Sequence, residues 1–96
     1  MLSEVYYLIR SKADGRYVSG RPNPDNADNY LLLFSEHFDA LSYLNKHAAE
    51  LASKFSVESI SGSQIKPILQ RWSLTGIGII KDPLLPQIEF MVISRS

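Results

Sequence analysis

Residues 30–72 read YLLLF (30–34), EHFDALSYLNKHAAELASKF (36–55), SVESIS (56–61) and SGSQIKPILQRW (61–72), and this run decides the fold. The first piece is a continuous apolar run, too short for a helix and bounded by Asn29 and Ser35, so it reads as a buried strand. In the second piece Leu41, Leu44, Ala48, Leu51, Ala52 and Phe55 recur at the three-and-four spacing of one helical face. Ser35 or Asp39 is the expected cap, and the acidic residues of the first turn face the positive end of the helix dipole. The third piece is read as a strand. In the fourth, Ser63 stands where an N-cap belongs. Pro67 falls near the helix start, where backbone N–H groups have no intrahelical partner to lose. Ile65, Ile68, Leu69 and Trp72 then form an i, i+3, i+4, i+7 stripe.

Outward from this run, residues 5–10 (VYYLIR) are rich in aromatic and β-branched types, and Asp14-Gly15 supplies a hairpin turn before Tyr17-Val18 resumes the extended pattern. Residues 20–29 (GRPNPDNADN) combine two prolines with repeated Asn and Asp, a composition that competes with regular pairing and predicts an exposed, mobile loop. Two more strands are expected at residues 75–81 and 88–94. They are joined by DPLLPQ (82–87), in which Pro83 and Pro86 each fix φ and withdraw a donor. The expected order is ββ-β-α-β-α-ββ: an α+β chain forming a single two-layer domain over residues 1–96, its mostly antiparallel five- to six-stranded sheet carrying both helices on one face.

Composition narrows the function classes. A chain of 96 residues buries somewhat over ~60% of its unfolded surface, enough for one core. Cysteine is absent, which removes disulfides, thiolate nucleophiles and Cys-ligated metal sites and fits a reducing compartment. The opening residues lack a basic n-region and a long apolar h-region, and no apolar stretch approaches the ~20 residues that span a bilayer, so a cytoplasmic protein without membrane contact is expected. Ten basic and ten acidic residues balance, leaving no electrostatic source for non-specific nucleic-acid binding. Residues 1–21 and 61–96 each carry a surplus of two basic residues and residues 22–60 a surplus of four acidic ones, an asymmetry able to orient self-association.

The chemical motifs are incomplete. His37 and His47 do not share a helical face, and His47 with Glu50 makes a pair where zinc needs three or four ligands. The loop from Asp25 to Asn29 offers oxygen ligands, yet Tyr30 stands where a calcium-binding EF-hand loop has its glycine. Gly76-Ile77-Gly78 leads into a strand rather than a helix, so it cannot cradle a phosphate; relief of crowding beneath the second helix or its Trp72 is the expected role. No serine sits in a nucleophile elbow. Tyr6, Tyr7, Tyr17 and Tyr30, with Arg10, Lys12 and Arg16, have the makings of an RNA-stacking platform, but no RNP sequence accompanies them. No catalytic, cofactor-binding or metal-binding residue is therefore assigned, and a non-enzymatic role is expected.

Leu32-Leu33-Phe34-Ser35-Glu36 followed by Asp39-Ala40-Leu41, and GIGIIKDP (76–83) leading into Ile88-Glu89-Phe90, resemble the amino-terminal module of SseB-like proteins, a family of small α+β domains. The resemblance covers roughly the last two-thirds of the chain and implies a secretion- or regulation-related role, with no catalytic residue to carry over. The expected function is an interaction or regulatory domain that self-associates, alone or with a protein partner. In residues 5–9, 30–34 and 88–93 both alternating sets are largely apolar, so the face without helices needs a cover: a second copy is the simplest, and the long loop with the C-terminal hairpin folded over it is the alternative. Tyr6, Leu8, Met91 and Ile93 are the expected homodimer interface. The alternative is a small-molecule-binding or enzymatic domain with its site near Gly62-Ser63, at the start of the second helix.

Overall fold

The computed structural model describes residues 5–82, 84, 85 and 87–93. Strands β1 (Val5–Ser11), β2 (Ser19–Gly20), β3 (Tyr30–Phe34), β4 (Phe55–Ser61), β5 (Gly76–Ile80) and β6 (Ile88–Val92) join in one six-stranded sheet of order β4-β1-β3-β5-β6, with β2 paired to β3. Helix α1 (His37–Ala48) runs into a 3₁₀ segment, Ala49–Lys54, and helix α2 (Ile65–Arg71) follows a 3₁₀ turn, Gly62–Gln64. The α+β class and the mostly antiparallel sheet are as the sequence predicts; the one parallel pairing is β3 with β5. After β1 the chain turns back as expected, with Gly15 at φ 72° and an isolated antiparallel bridge between Arg10 and Tyr17, but β2 itself pairs with β3 rather than with β1.

The two helices do not share a face. Ile65 and Leu69 of α2 pack with Leu8, Leu31, Leu33, Ile60 and Ile77, whereas Ala40 and Leu44 of α1 pack with Ile9, Leu32, Phe34 and Ile80. Successive strand residues point to opposite sides, so these sets are the two faces of the sheet. The cause is topological. β3 and β4 are both antiparallel to β1, hence parallel to each other, and α1 connects them moving toward one edge. α2 then connects β4 to β5 moving back toward the other edge. Crossovers between parallel strands are right-handed in roughly 98% of cases, and two of the same hand travelling in opposite directions must lie on opposite faces. The doubly apolar strands therefore have a cover on each side within one chain.

Of the predicted α1 stripe, Leu44, Ala48, Ala52 and Phe55 pack into the core while Leu41 and Leu51 do not, and Ala40 is buried in addition. Glu36 is the N-cap, in place of Ser35 or Asp39, and no side chain caps the helix. Ala40 and Leu44 face the sheet while Leu41 is 39% and Leu51 47% exposed. Ala40 lets the helix approach closely, and beyond Ala48 the 3₁₀ segment winds at three residues per turn, which breaks the 3.6-residue phase and turns Leu51 outward. α2 keeps its predicted stripe: Ile65 and Leu69 are buried and Ile68 and Trp72 partly so. Its start is set by Gln64, whose Oε1 accepts the Ser61 backbone N–H at 2.8 Å.

Residues 21–28 are exposed as expected, and they are wound around a side chain: Arg21 donates to the Asn26 carbonyl at 2.6 Å and the Pro24 carbonyl at 3.4 Å. The side-chain oxygens of Asn23 and Asn26 accept the backbone N–H groups of Asp25 and Asp28, the Asx turns that this composition favours. Pro83, Pro86 and Ser94, part of the predicted C-terminal hairpin, lie outside the described residues. The glycines of β5 make room for β6 and its side chains rather than for Trp72. A Cβ on Gly76 would overlap the Met91 carbonyl, and one on Gly78 would sit 3.0 Å from atoms of Ile88, Leu32 and Phe90.

Candidate ligand-binding cleft

The segment Tyr17-Val18-Ser19 and the segment Asn29-Tyr30-Leu31 run antiparallel, with Ser19 opposite Leu31. Alternation puts Tyr17, Ser19, Asn29 and Leu31 on the face covered by α2. The helix is only seven residues long and stops before it reaches this corner. Trp72 ends it as the C-cap, and Ser73 then adopts φ 54°, a left-handed conformation uncommon for a residue with a Cβ. That turn lets the Leu74 N–H reach the Leu69 carbonyl at 2.8 Å and sends the chain into β5. The result is a cleft of about 240 Å³ lined by Arg16, Tyr17, Ser19, Asn29, Trp72 and Leu74.

Neighbouring bonds hold the lining in place. The Tyr17 ring meets Trp72 edge to face, centroids 6.3 Å apart and planes at 89°, and the Arg10 guanidinium lies 5.1 Å from the Tyr17 centroid. Arg10 is itself tethered, donating from Nε to the Gly15 carbonyl at 2.9 Å and lying 3.6 Å from Glu58. Thr75 clamps the Asn29 main chain from both sides: its N–H donates to the Asn29 carbonyl at 2.7 Å, and its hydroxyl accepts the Asn29 N–H at 3.3 Å. At the rim, Arg16 lies 3.9 Å from the Asp14 carboxylate. The Arg16 backbone N–H donates to the same carboxylate and holds its pKa below the ordinary 3.8.

One group in the cleft is unsatisfied. Asn29 Oδ1 is buried and has no hydrogen-bond partner among the described residues. A buried acceptor left unpaired costs about 1–3 kcal/mol, so it calls for an explanation in terms of what else enters the cleft. The six lining residues include no His, Asp, Glu, Lys or Cys. The lining offers two aromatic rings, an amide, a hydroxyl and a guanidinium.

The residues expected at a dimer interface fall elsewhere. Tyr6, Leu8, Met91 and Ile93 all lie on the α2 face, but Leu8 is fully buried, Tyr6 and Ile93 pack against the same core, and β3 and β5 separate β1 from β6. Only Met91, at 39% exposure, has a substantial free surface. The tyrosines of the supposed stacking platform divide between the faces, Tyr6 and Tyr17 on the α2 side and Tyr7 on the α1 side, with Tyr30 packed on Phe90. His37 lies edge-on to Tyr7 and His47 stacks near Tyr43, and among the described residues no three carboxylates or imidazoles gather around a metal-sized site. Near the start of α2, Gly62 is buried and Ser61 bonds Ser63 and Gln64; the cleft is at the other end of that helix. The sequence does carry one signal for it. Asn29 shares the alternation of Leu31 and Leu33, a polar residue in phase with a core.

Comparison with protein-family models, with curated proteins and with solved structures returns no match. The likeness to SseB-like modules therefore rests on the strand-to-helix and GIGIIKDP residues alone.

Proposed function

We propose that this chain is a non-enzymatic domain that binds a small polar molecule in the cleft at the end of α2. The observation that carries the reading is the unpaired Asn29 Oδ1 in the wall of a cleft that Tyr17 and Trp72 also line. Ligand sites combine an apolar, aromatic wall with a few convergent polar groups, and here Arg16, Ser19 and Asn29 stand beside Tyr17 and Trp72. Binding residues are often kept at the expense of stability. Asn29→Leu should therefore raise the urea midpoint of the free protein, because it removes a buried unpaired acceptor while the main-chain clamp to Thr75 persists. A lowered midpoint would mean that Oδ1 is satisfied by an enclosed water and serves the fold, and would end the reading.

Self-association is favoured by a separate observation, at the sheet edge instead of the sheet face. Among the described residues no strand pairs with the outer side of β6, and Met91 and Val92 are 39% and 70% exposed there. Edge strands are usually blunted by Lys, Pro or a bulge, whereas residues 88–92 (IEFMV) carry one charge, Glu89, already paired 2.8 Å from Lys81. A second copy adding its own β6 antiparallel about a two-fold axis would continue the sheet, in keeping with the regulatory role that the SseB likeness implies. Sedimentation across a concentration series tests it, with Met91→Lys expected to abolish any dimer. No helix among the described residues is long and apolar enough to cross a membrane. The absence of cysteine is in keeping with a cytoplasmic setting.

A further inference from the structure

Resting on that binding role, we infer that the ligand is a single neutral sugar ring of pyranose type, free or at the end of a glycan. Size sets the first limit. The cleft's volume of about 240 Å³ falls below the ~300–1,000 Å³ of sites for larger ligands, so it suits one ring rather than a base joined to ribose and phosphate. Charge sets the second. Arg16 is the one charged residue of the lining, and the Asp14 carboxylate beside it offsets its charge, leaving little net attraction for an anion.

Hydrogen bonding sets the third limit. Asn29 Oδ1 lies beneath the cleft surface and takes a donor once its amide turns toward the ligand, the Arg16 guanidinium needs an acceptor, and the Ser19 hydroxyl can be either. A sugar hydroxyl donates and accepts through one oxygen, so neighbouring hydroxyls on one ring answer all three. The aromatic pair completes the match. Tyr17 and Trp72 meet at 89°, so they cannot sandwich a flat ligand and offer it at most a single ring face. A pyranose has an apolar C–H face whose slightly positive hydrogens are drawn to the negative face of an aromatic ring, with hydroxyls around its rim.

Trp72 is the only tryptophan of the chain, so its emission reports on the cleft directly. The intact chain should be titrated with glucose, galactose, mannose and N-acetylglucosamine, with adenosine and AMP as flat comparators. At least one sugar should change Trp72 emission and shift the Asn29 side-chain amide in an NMR spectrum, with a dissociation constant on the order of millimolar. Asn29→Leu and Arg16→Gln should each weaken that binding about tenfold, while Lys81→Gln, at the far end of β5, leaves it unchanged. No response to any sugar overturns the inference. If adenosine or AMP responds instead, the binding role stands with a different ligand. If nothing responds and Asn29→Leu also lowers the urea midpoint, both fall. A methyl glycoside and a glycan ending in the responding sugar then separate free from glycan-linked ligand by which binds more tightly.

Discussion

Asn29 and Tyr30 are neighbours in the chain and lie on opposite faces of the same end of the sheet, yet one lines an open cleft and the other is sealed. Tyr30 is only 8% exposed. Its ring meets Phe90 with centroids 5.0 Å apart, and Phe90 has room there because Gly20 and Gly78 present no side chains against it. On the other face α2 is too short to reach the corner, and Tyr17, Ser19, Asn29 and Trp72 leave it open. A sheet end is closed by an aromatic where glycines admit it, and is available for a ligand where the covering helix stops early.

The broadest test asks whether both faces are true cores. Leu44→Ala under α1 and Leu69→Ala under α2 should each destabilise the protein by about 2–5 kcal/mol in urea unfolding, whereas Leu41→Ala should stay within about 0.5 kcal/mol. A large loss for Leu41→Ala would put Leu41 back in the buried stripe predicted from sequence. Next comes the sealed corner. Gly78→Ala crowds three side chains at 3.0 Å and should cost about 1–3 kcal/mol. Gly20→Ala meets its nearest atom at an ordinary 3.4 Å and should cost under about 0.5 kcal/mol. Equal losses would show that Phe90 does not rest on Gly78 in the way described.

The open corner has the opposite sign: Asn29→Leu should gain about 1 kcal/mol, the lower end of the penalty for an unpaired buried acceptor. The smallest effect concerns pH on the α1 face. Tyr43 packs on Phe34, and burial raises its pKa above the ordinary 10.0. Folding then favours the protonated phenol, so its contribution is complete below pH 10.0 and is lost as pH rises from there through the raised value. Tyr43→Phe should flatten that part of the stability profile above pH 10.0; an unchanged slope would assign the alkaline loss to other groups.

The strands and helices were legible because their signals are local. YLLLF is apolar without a break, Ile65, Ile68, Leu69 and Trp72 repeat at helical spacing, and Asp14-Gly15 and the proline-rich segments punctuate the chain. The doubly apolar character of residues 30–34 was legible too, and it correctly demands cover on both sides. Which partner supplies that cover was not, since it depends on strand order: only when β4 and β5 are seen on opposite sides of β1 and β3 does the handedness of the crossovers send α1 and α2 to opposite faces. The same holds for the cleft. Asn29 in phase with Leu31 marks a polar residue on a core face, but its isolation depends on Thr75 and Trp72, more than forty positions away. Sequence by itself determined the elements and their apolar faces, because periodicity and turn chemistry act over a few residues. Tertiary structure decided which face each helix covers, the exposure of Leu41 and Leu51 and the existence of an open corner, because those follow from how distant segments cross and where a short helix ends.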